Sequence, residues 1–172
     1  MSCKCFDKKP SFKQNDDFSI KYNASKCSCN SRFTVIENKS KFSILSNKVS
    51  DVEKIKIDGY LDNSNKNNKC DYLFTFNNGK DITYIFVELK GKDISHAIIQ
   101  IQSTIEMFYN EGYLTGKEVR GFIVHTRYPA NDGSYRKAVL GLNKYIKNKT
   151  INFKLEHKSK EIKYDPINDK IT

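Results

Sequence analysis

Residues 70–108 read CDYLFTFNNGKDITYIFVELKGKDISHAIIQIQSTIEMF and contain the clearest structural signals of the chain. Within this stretch, Asn78-Gly79 predicts a two-residue hairpin turn, because both residue types tolerate the positive φ angles of a type I′ turn. Residues 82–89, which follow the turn, are almost wholly apolar and β-prone, as is typical of a strand buried on both faces. We therefore expect a hairpin whose second strand lies at the centre of a sheet.

A helix is predicted directly after this strand. Asp93 or Ser95 can cap its start, and Gly112 or Gly116 would end it. Its apolar side chains recur every three or four residues, which is the spacing of an amphipathic helix that packs on a core. These side chains are Ile94, Ala97, Ile98, Ile101, Ile105 and Phe108.

Shorter apolar runs precede and follow this central unit, and a second helical stripe lies between residues 135 and 146. Further strands are predicted at residues 54–61, 119–124, 151–155 and 161–164. The alternation of strands and helices favours a single α/β domain with a central mixed β-sheet flanked by helices. Residues 1–50 are polar and weakly periodic, so we expect them to be an N-terminal extension or cap of this domain, whose core is residues 51–172.

Composition and charge limit the class of protein. The 172 residues are 38% hydrophobic and 29% charged, which is typical of a folded domain. No stretch approaches the roughly 18–20 apolar residues of a membrane span, and the first residues lack the apolar region of a secretory signal. We therefore expect a cytoplasmic protein without a membrane partner. The net charge of +10 favours polyanionic partners such as nucleic acid.

The cysteines offer an alternative interpretation. Cys3, Cys5, Cys27 and Cys29 form two CxC pairs that together can close a four-thiolate zinc site, which would make the chain a zinc-tethered interaction domain. Zinc knuckles usually space their cysteines as CxxC, so reduced thiols in the N-terminal segment are the favoured interpretation. Cys70 is expected to be a small apolar residue inside a strand.

The predicted buried strand ends in charged residues, at positions where apolar core residues would be expected. Glu88 and Lys90 are two positions apart and therefore point to the same face of the strand. Burying two such charges costs several kcal/mol each unless they are paired or bound to a metal. The predicted turn places Asp71 opposite Phe86 and diagonal to Glu88, with Cβ atoms up to roughly 7–8 Å apart. Two carboxylates at that separation suit one hard divalent cation.

This order of elements resembles the PD-(D/E)XK nuclease superfamily: Asp71, then Glu88-Leu89-Lys90 at the end of a buried strand, then a helix. The resemblance covers residues 54–126 and implies a restriction-endonuclease-like αβββαβ core without its first helix. Glu53 is one match for the acidic residue that the family carries on that helix. Cys70 stands where the motif name has proline.

The resemblance implies a metal-dependent nuclease that hydrolyses phosphodiester bonds in DNA, of the restriction, repair or anti-invader type. Asp71 and Glu88 would bind Mg²⁺ (or Mn²⁺), together with the carbonyl of Leu89. Lys90 would orient the attacking water or stabilise charge in the transition state. Gln100, chosen over Gln102, would join them from the following helix. A homodimer is one assembly that the resemblance implies.

Other polar residues have weaker claims to a role. Asp58 is expected to be a turn or support residue, with a metal role as its alternative. His125 and Arg127 follow residues 119–124 and are expected in an exposed loop, with phosphate contact as their alternative. His96 is expected to be solvated.

The functional alternative to a nuclease is a non-catalytic nucleic-acid-binding or assembly module that keeps the nuclease fold. The basic residues after position 135 are expected to form a solvated face, with a surface that follows a nucleic-acid backbone as the alternative. The sequence contains no P-loop, GxSxG or HExxH element, so nucleotide hydrolases, esterases and zinc proteases lack support.

Overall fold

The computed structural model describes residues 33–46, 52–58, 68–126 and 133–172. In chain order the elements are β1 (Thr34–Glu37), β2 (Ser40–Ile44), β3 (Val52–Lys56), β4 (Tyr72–Asn77), β5 (Ile82–Lys90), α1 (Ile94–Asn110), β6 (Glu118–His125), α2 (Gly133–Lys147), β7 (Asn152–Ser159), β8 (Glu161–Asp165) and β9 (Lys170–Ile171). Cys3, Cys5, Cys27 and Cys29 lie outside the described residues. None of the helices in the described ranges combines the length and apolarity needed to cross a bilayer.

A five-stranded sheet with the order β3-β4-β5-β6-β7 forms the centre of the molecule. Strands β3, β4 and β5 are antiparallel neighbours, whereas β5, β6 and β7 run parallel. Parallel neighbours need a crossover connection, and α1 and α2 provide the two that this half of the sheet requires. The middle strand, β5, is buried from Tyr84 to Leu89, and its carboxyl end leaves the core at the half-buried Lys90.

Both helices pack on one face of this sheet. The predicted stripe of α1 is buried, and it packs against Leu73, Tyr84, Phe86 and Ile123 of the strands. Of the two candidate caps, Asp93 is used: its side chain accepts a hydrogen bond from the N–H of His96 at 2.9 Å. Burying an isoleucine of this kind contributes about 1.5–3 kcal/mol, so the stripe holds α1 firmly against β5.

The other face of the central sheet carries a second sheet with the order β1-β2-β8-β9. Phe42 and Tyr164 from this sheet pack against Phe74 and Phe122 of the central one. The predicted mixed α/β class is confirmed. The single central sheet flanked by helices is not confirmed, because helices cover one face only and a sheet covers the other. The strands of the second sheet have two to five residues, too short for periodicity to assign them to one sheet or another.

The turn between β4 and β5 is wider than predicted. Asn77 pairs with Ile82, so residues 78–81 form a four-residue loop. The side chain of Asn78 stabilises this loop by accepting the N–H groups of Lys80 (2.9 Å) and Asp81 (2.8 Å), as asparagine often does in turns. The predicted pairing of Asn77 with Lys80 is therefore wrong by two residues. A shift of two preserves which residues share a face, because the side-chain period of a strand is two.

Candidate active site

Continuing the β4–β5 pairing by one residue brings Asp71 opposite Glu88, not opposite Phe86 as predicted. The main-chain N–H of Asp71 donates a hydrogen bond to Oε2 of Glu88 at 3.1 Å. In return, Oδ2 of Asp71 accepts the N–H of Leu89 at 2.7 Å. The carbonyl of Asp71 accepts the N–H of Ile57 at 2.9 Å. These bonds fix the two carboxylates side by side at the end of β5.

Lys90 and Gln100 extend this pair into a network of four residues, linked partly through main-chain N–H groups. Nζ of Lys90 donates to Oε1 of Glu88 at 3.2 Å and to Oε1 of Gln100 at 2.7 Å. Nε2 of Gln100 donates to the carbonyl of Lys69 at 2.7 Å. Gln100 lies on α1, two turns past the helix start, so the helix and the strand each contribute to the network. The structure thus brings together the four residues that the sequence singles out, which we call the β5 cluster (Asp71, Glu88, Lys90, Gln100).

Burial dominates the electrostatics of the β5 cluster. Glu88 is only 1% exposed, and this burial, reinforced by the nearby Asp71 carboxylate, raises the pKa of Glu88 to about 8 against the opposing charge of Lys90. Burial likewise raises the pKa of Asp71 to about 6; the charges of Glu37 and Asp58 add to the rise, while the hydrogen bond from Leu89 and the charge of Lys90 oppose it. Two neighbouring carboxyl groups therefore resist ionisation, and a further positive charge would stabilise their ionised forms.

The donor set of the cluster fits a hard divalent cation. Carboxylate oxygens and a main-chain carbonyl are oxygen ligands of the type that Mg²⁺ and Mn²⁺ prefer. Over the residues that the structure describes, no group of three His, Cys, Asp or Glu side chains forms a potential metal cage. Mg²⁺ commonly uses one or two carboxylates and keeps several waters, so Asp71, Glu88 and the carbonyl of Leu89 form a sufficient candidate set.

Two further carboxylates lie near Asp71. Asp58, expected as a support residue, and Glu37, which the sequence does not single out, both act on the pKa of Asp71. Glu37 ends β1 in the second sheet, and the hydroxyl of Ser40, at the start of β2, donates to the carbonyl of Lys90 at 3.4 Å. No sequence pattern connects residue 37 with residue 71, because their proximity depends on how two separate sheets pack.

Glu53, the sequence-based match for the family's first acidic residue, does not join the cluster. It lies in β3 and pairs with Thr75, which is four residues along β4 from Asp71. At about 3.3 Å per residue, that offset is roughly 13 Å. The segment around Ile57, not Glu53, is the part of the chain that reaches Asp71.

His125 is not in an exposed loop, as the sequence predicted, but is 1% exposed as the last residue of β6. Strand β6 continues this far because it pairs with β7 up to Ser159. His125 is in register with Lys90 on the neighbouring strand. Its Nε2 lies 3.5 Å from Nδ1 of His157, whose Nε2 lies 3.1 Å from the hydroxyl of Tyr135.

The two remaining candidates have different outcomes. His96 is half-buried in the first turn of α1 rather than fully solvated. Arg127 lies outside the described residues.

The chain was compared with known proteins at three levels. No protein-family model, no curated protein and no solved structure matches it. The resemblance to PD-(D/E)XK nucleases therefore depends on the sequence pattern alone.

Proposed function

We propose that this protein is a Mg²⁺-dependent nuclease that hydrolyses phosphodiester bonds in DNA. One observation carries the proposal: Asp71, Glu88, Lys90 and Gln100 form one connected network at the end of a buried strand. The buried carboxyl group of Glu88 and the half-buried one of Asp71, both with raised pKa values and next to an ammonium group, form a site where a divalent cation and a phosphate would both be stabilised.

Asp71 and Glu88 would hold the divalent cation, whose charge would polarise a phosphate and lower the pKa of a bound water. Lys90 places its ammonium group at the same edge, where it can orient the attacking water and stabilise the charge that grows on the phosphate. Gln100 holds Lys90 in this position and is itself held by the carbonyl of Lys69. Groups that are fixed before the substrate arrives need less reorganisation in the transition state.

A second candidate function is a nucleic-acid-binding module without chemistry. Lys90 and the N–H of Asp71 already satisfy both oxygens of Glu88, so the network can also serve as a buried structural ion pair. The net charge of +10 favours nucleic-acid binding under both functions.

Cleavage of a supercoiled plasmid distinguishes the two functions. We would compare wild type, Glu88→Gln and the control Glu156→Gln, in which an exposed glutamate of β7 undergoes the same change, each with Mg²⁺, Mn²⁺ or EDTA. The nuclease proposal expects metal-dependent cutting by wild type and control, and a loss of about 10²-fold or more in Glu88→Gln. If all three proteins bind the plasmid and none cuts it, the binding module is the better description.

A further inference from the structure

Helix α2 carries cations and no carboxylate. Its sequence, GSYRKAVLGLNKYIK, contains Arg136, Lys137, Lys144 and Lys147 and neither Asp nor Glu. All four cationic side chains are exposed. Within the described part of the chain, no ion pair joins any of them to a carboxylate. The carboxylates of the described residues therefore do not neutralise this charge.

The four cations lie on one side of α2, and we call them the α2 stripe. At 3.6 residues per turn they fall within an arc of about 100°. Leu142, which is buried, lies on the opposite side, and Val139 and Ile146 also pack against the core. From Arg136 to Lys147 the stripe extends roughly 16 Å along the helix axis, which equals the rise of about five base pairs of duplex DNA.

The α2 stripe begins near the β5 cluster. The hydroxyl of Ser134 lies 2.9 Å from that of Ser95 in the first turn of α1, just after the end of β5. The hydroxyl of Tyr135 lies 3.1 Å from Nε2 of His157. His157 in turn approaches His125, which is in register with the lysine of the cluster. These contacts fix the start of α2 at the edge of the sheet that carries the candidate site.

We propose that the α2 stripe binds the phosphate backbone of the nucleic acid and leads it to the β5 cluster, an inference that rests on the proposed function. Unpaired lysine and arginine side chains bind phosphates without reading base sequence, and they release counterions when they do so. The α2 stripe starts beside the β5 cluster and continues along the helix. One substrate strand can therefore contact both the cations and the cluster.

An anionic membrane is a poorer fit to the same helix. An interfacial helix buries an apolar face in the lipid, whereas the apolar face of α2 packs against the core. Among the described residues of α2, Leu140 is the large apolar side chain left exposed, at 67%. One such residue among four cations favours a soluble polyanion.

Two triple variants with the same loss of charge test this inference. In one, Lys137, Lys144 and Lys147 of the α2 stripe become Gln. In the control, the exposed lysines Lys80, Lys163 and Lys170, of the β4–β5 loop and the second sheet, become Gln. Binding of a fluorescent duplex of roughly 20 base pairs would be measured by anisotropy in EDTA, from about 50 to about 300 mM salt. Thermal melting checks that both variants fold like wild type.

The stripe variant is expected to weaken binding about tenfold or more at moderate salt. The slope of log affinity against log salt should become shallower by about 0.9 for each lysine that contacts a phosphate, and by roughly 2.7 if all three do. The control should bind nearly as wild type does. The single changes Lys137→Gln and Lys144→Gln should each produce about one third of the slope change, which supports the inference even if the triple variant folds poorly.

Three outcomes would overturn the inference: equal losses in stripe and control variants, no duplex binding by wild type, or tighter binding of wild type to phosphatidylserine vesicles than to the duplex. Because binding is measured in EDTA, the result is independent of cleavage. A wild type that cuts no plasmid but binds DNA through the stripe would refute the nuclease and keep phosphate binding by the α2 stripe. Metal-dependent cutting with equal binding by both variants would do the reverse.

Discussion

At the scale of single residues, the pairing of Asp71 with Glu88 is the feature that a stable core alone does not explain. Each carboxyl group bonds to the main chain beside the other, and burial raises both pKa values, to about 6 and about 8. A protein that needed only a stable core would be better served by apolar residues here. Binding of a cation, as proposed, would explain why carboxyl groups occupy these positions.

The raised pKa of Glu88 makes stability depend on pH. Without metal, the folded protein binds this proton more tightly than the unfolded chain, in which a glutamate titrates near 4.5. The free energy of unfolding should therefore fall as pH rises from about 4.5 to about 8. Glu88→Gln cannot ionise, so it should be more stable than wild type near pH 8, by more than about 1 kcal/mol.

Urea unfolding in EDTA at several pH values between these limits measures this difference. Glu156→Gln is the control and should follow wild type throughout. If the stability of Glu88→Gln fell with rising pH as steeply as that of wild type, the raised pKa of Glu88 would be wrong.

Gln100 is expected to act through Lys90, as a positioning residue. Gln100→Ala removes an acceptor 2.7 Å from Nζ of Lys90, so plasmid cleavage should fall about 10- to 100-fold while the metal concentration for half-maximal activity changes little. Gln102→Ala, on the same helix and next to Gly141 of α2, is the matched control and should cut normally. Equal effects of the two changes would show that helix packing, not the position of Lys90, is responsible.

At the scale of elements, the sequence predicts those parts whose periodicity is long. The nine residues of β5 and the seventeen of α1 repeat their patterns often enough to fix which side faces the core, and this places Glu88, Lys90 and Gln100 correctly. The β4–β5 register is off by two residues because the bonds made by the Asn78 side chain widen the turn. Glu37 could not be predicted, since its proximity to Asp71 depends on the packing of the second sheet.

Arg120 of β6 links the central sheet to the second one by pairing with Asp169, which precedes β9. The Arg120 side chain is buried, and its Nε and Nη2 atoms donate to the two carboxylate oxygens of Asp169 at 2.9 and 3.1 Å. Glu118 accepts from Nη2 at 2.9 Å, and the hydroxyl of Tyr164 donates to Asp169 at 2.9 Å. The hydrogen bonds from Arg120 above all, and those from Lys154 and Tyr164, hold the pKa of Asp169 well below its usual range.

Asp169→Asn should destabilise the protein by about 1–2 kcal/mol, because it removes one of the two carboxylates that pair with the buried guanidinium of Arg120 and leaves only Glu118. The loss should be present at neutral pH and should shrink in strong acid, where Asp169 of the wild type is itself protonated. Urea unfolding would compare it with Asp81→Asn, an exposed aspartate in the β4–β5 loop. Equal stabilities of the two variants would show that Arg120 does not depend on this pair.

At the scale of the whole molecule, charge is distributed unevenly. The chain carries a net charge of +10, yet the charges of Glu37 and Asp58 act on Asp71, which lies beside Glu88 at the end of β5. The α2 stripe begins near the same end of β5. Under the proposed function, carboxyl groups that would hold a cation, next to a positive surface that would hold a polyanion, are the arrangement that a metal-dependent nuclease needs. Sequence composition shows the surplus charge but not its position, which depends on how α2 packs.

Under the proposed function, Asp71 and Glu88 together hold a divalent cation. Titration calorimetry with Mn²⁺ tests it most directly, on wild type, Glu88→Gln and Glu156→Gln at slightly alkaline pH. We predict that wild type and Glu156→Gln bind Mn²⁺ with similar affinity, and that Glu88→Gln binds it about tenfold or more weakly, because one of its two carboxylate ligands is gone. Equal Mn²⁺ binding by all three proteins, or no binding by wild type, would contradict the metal centre.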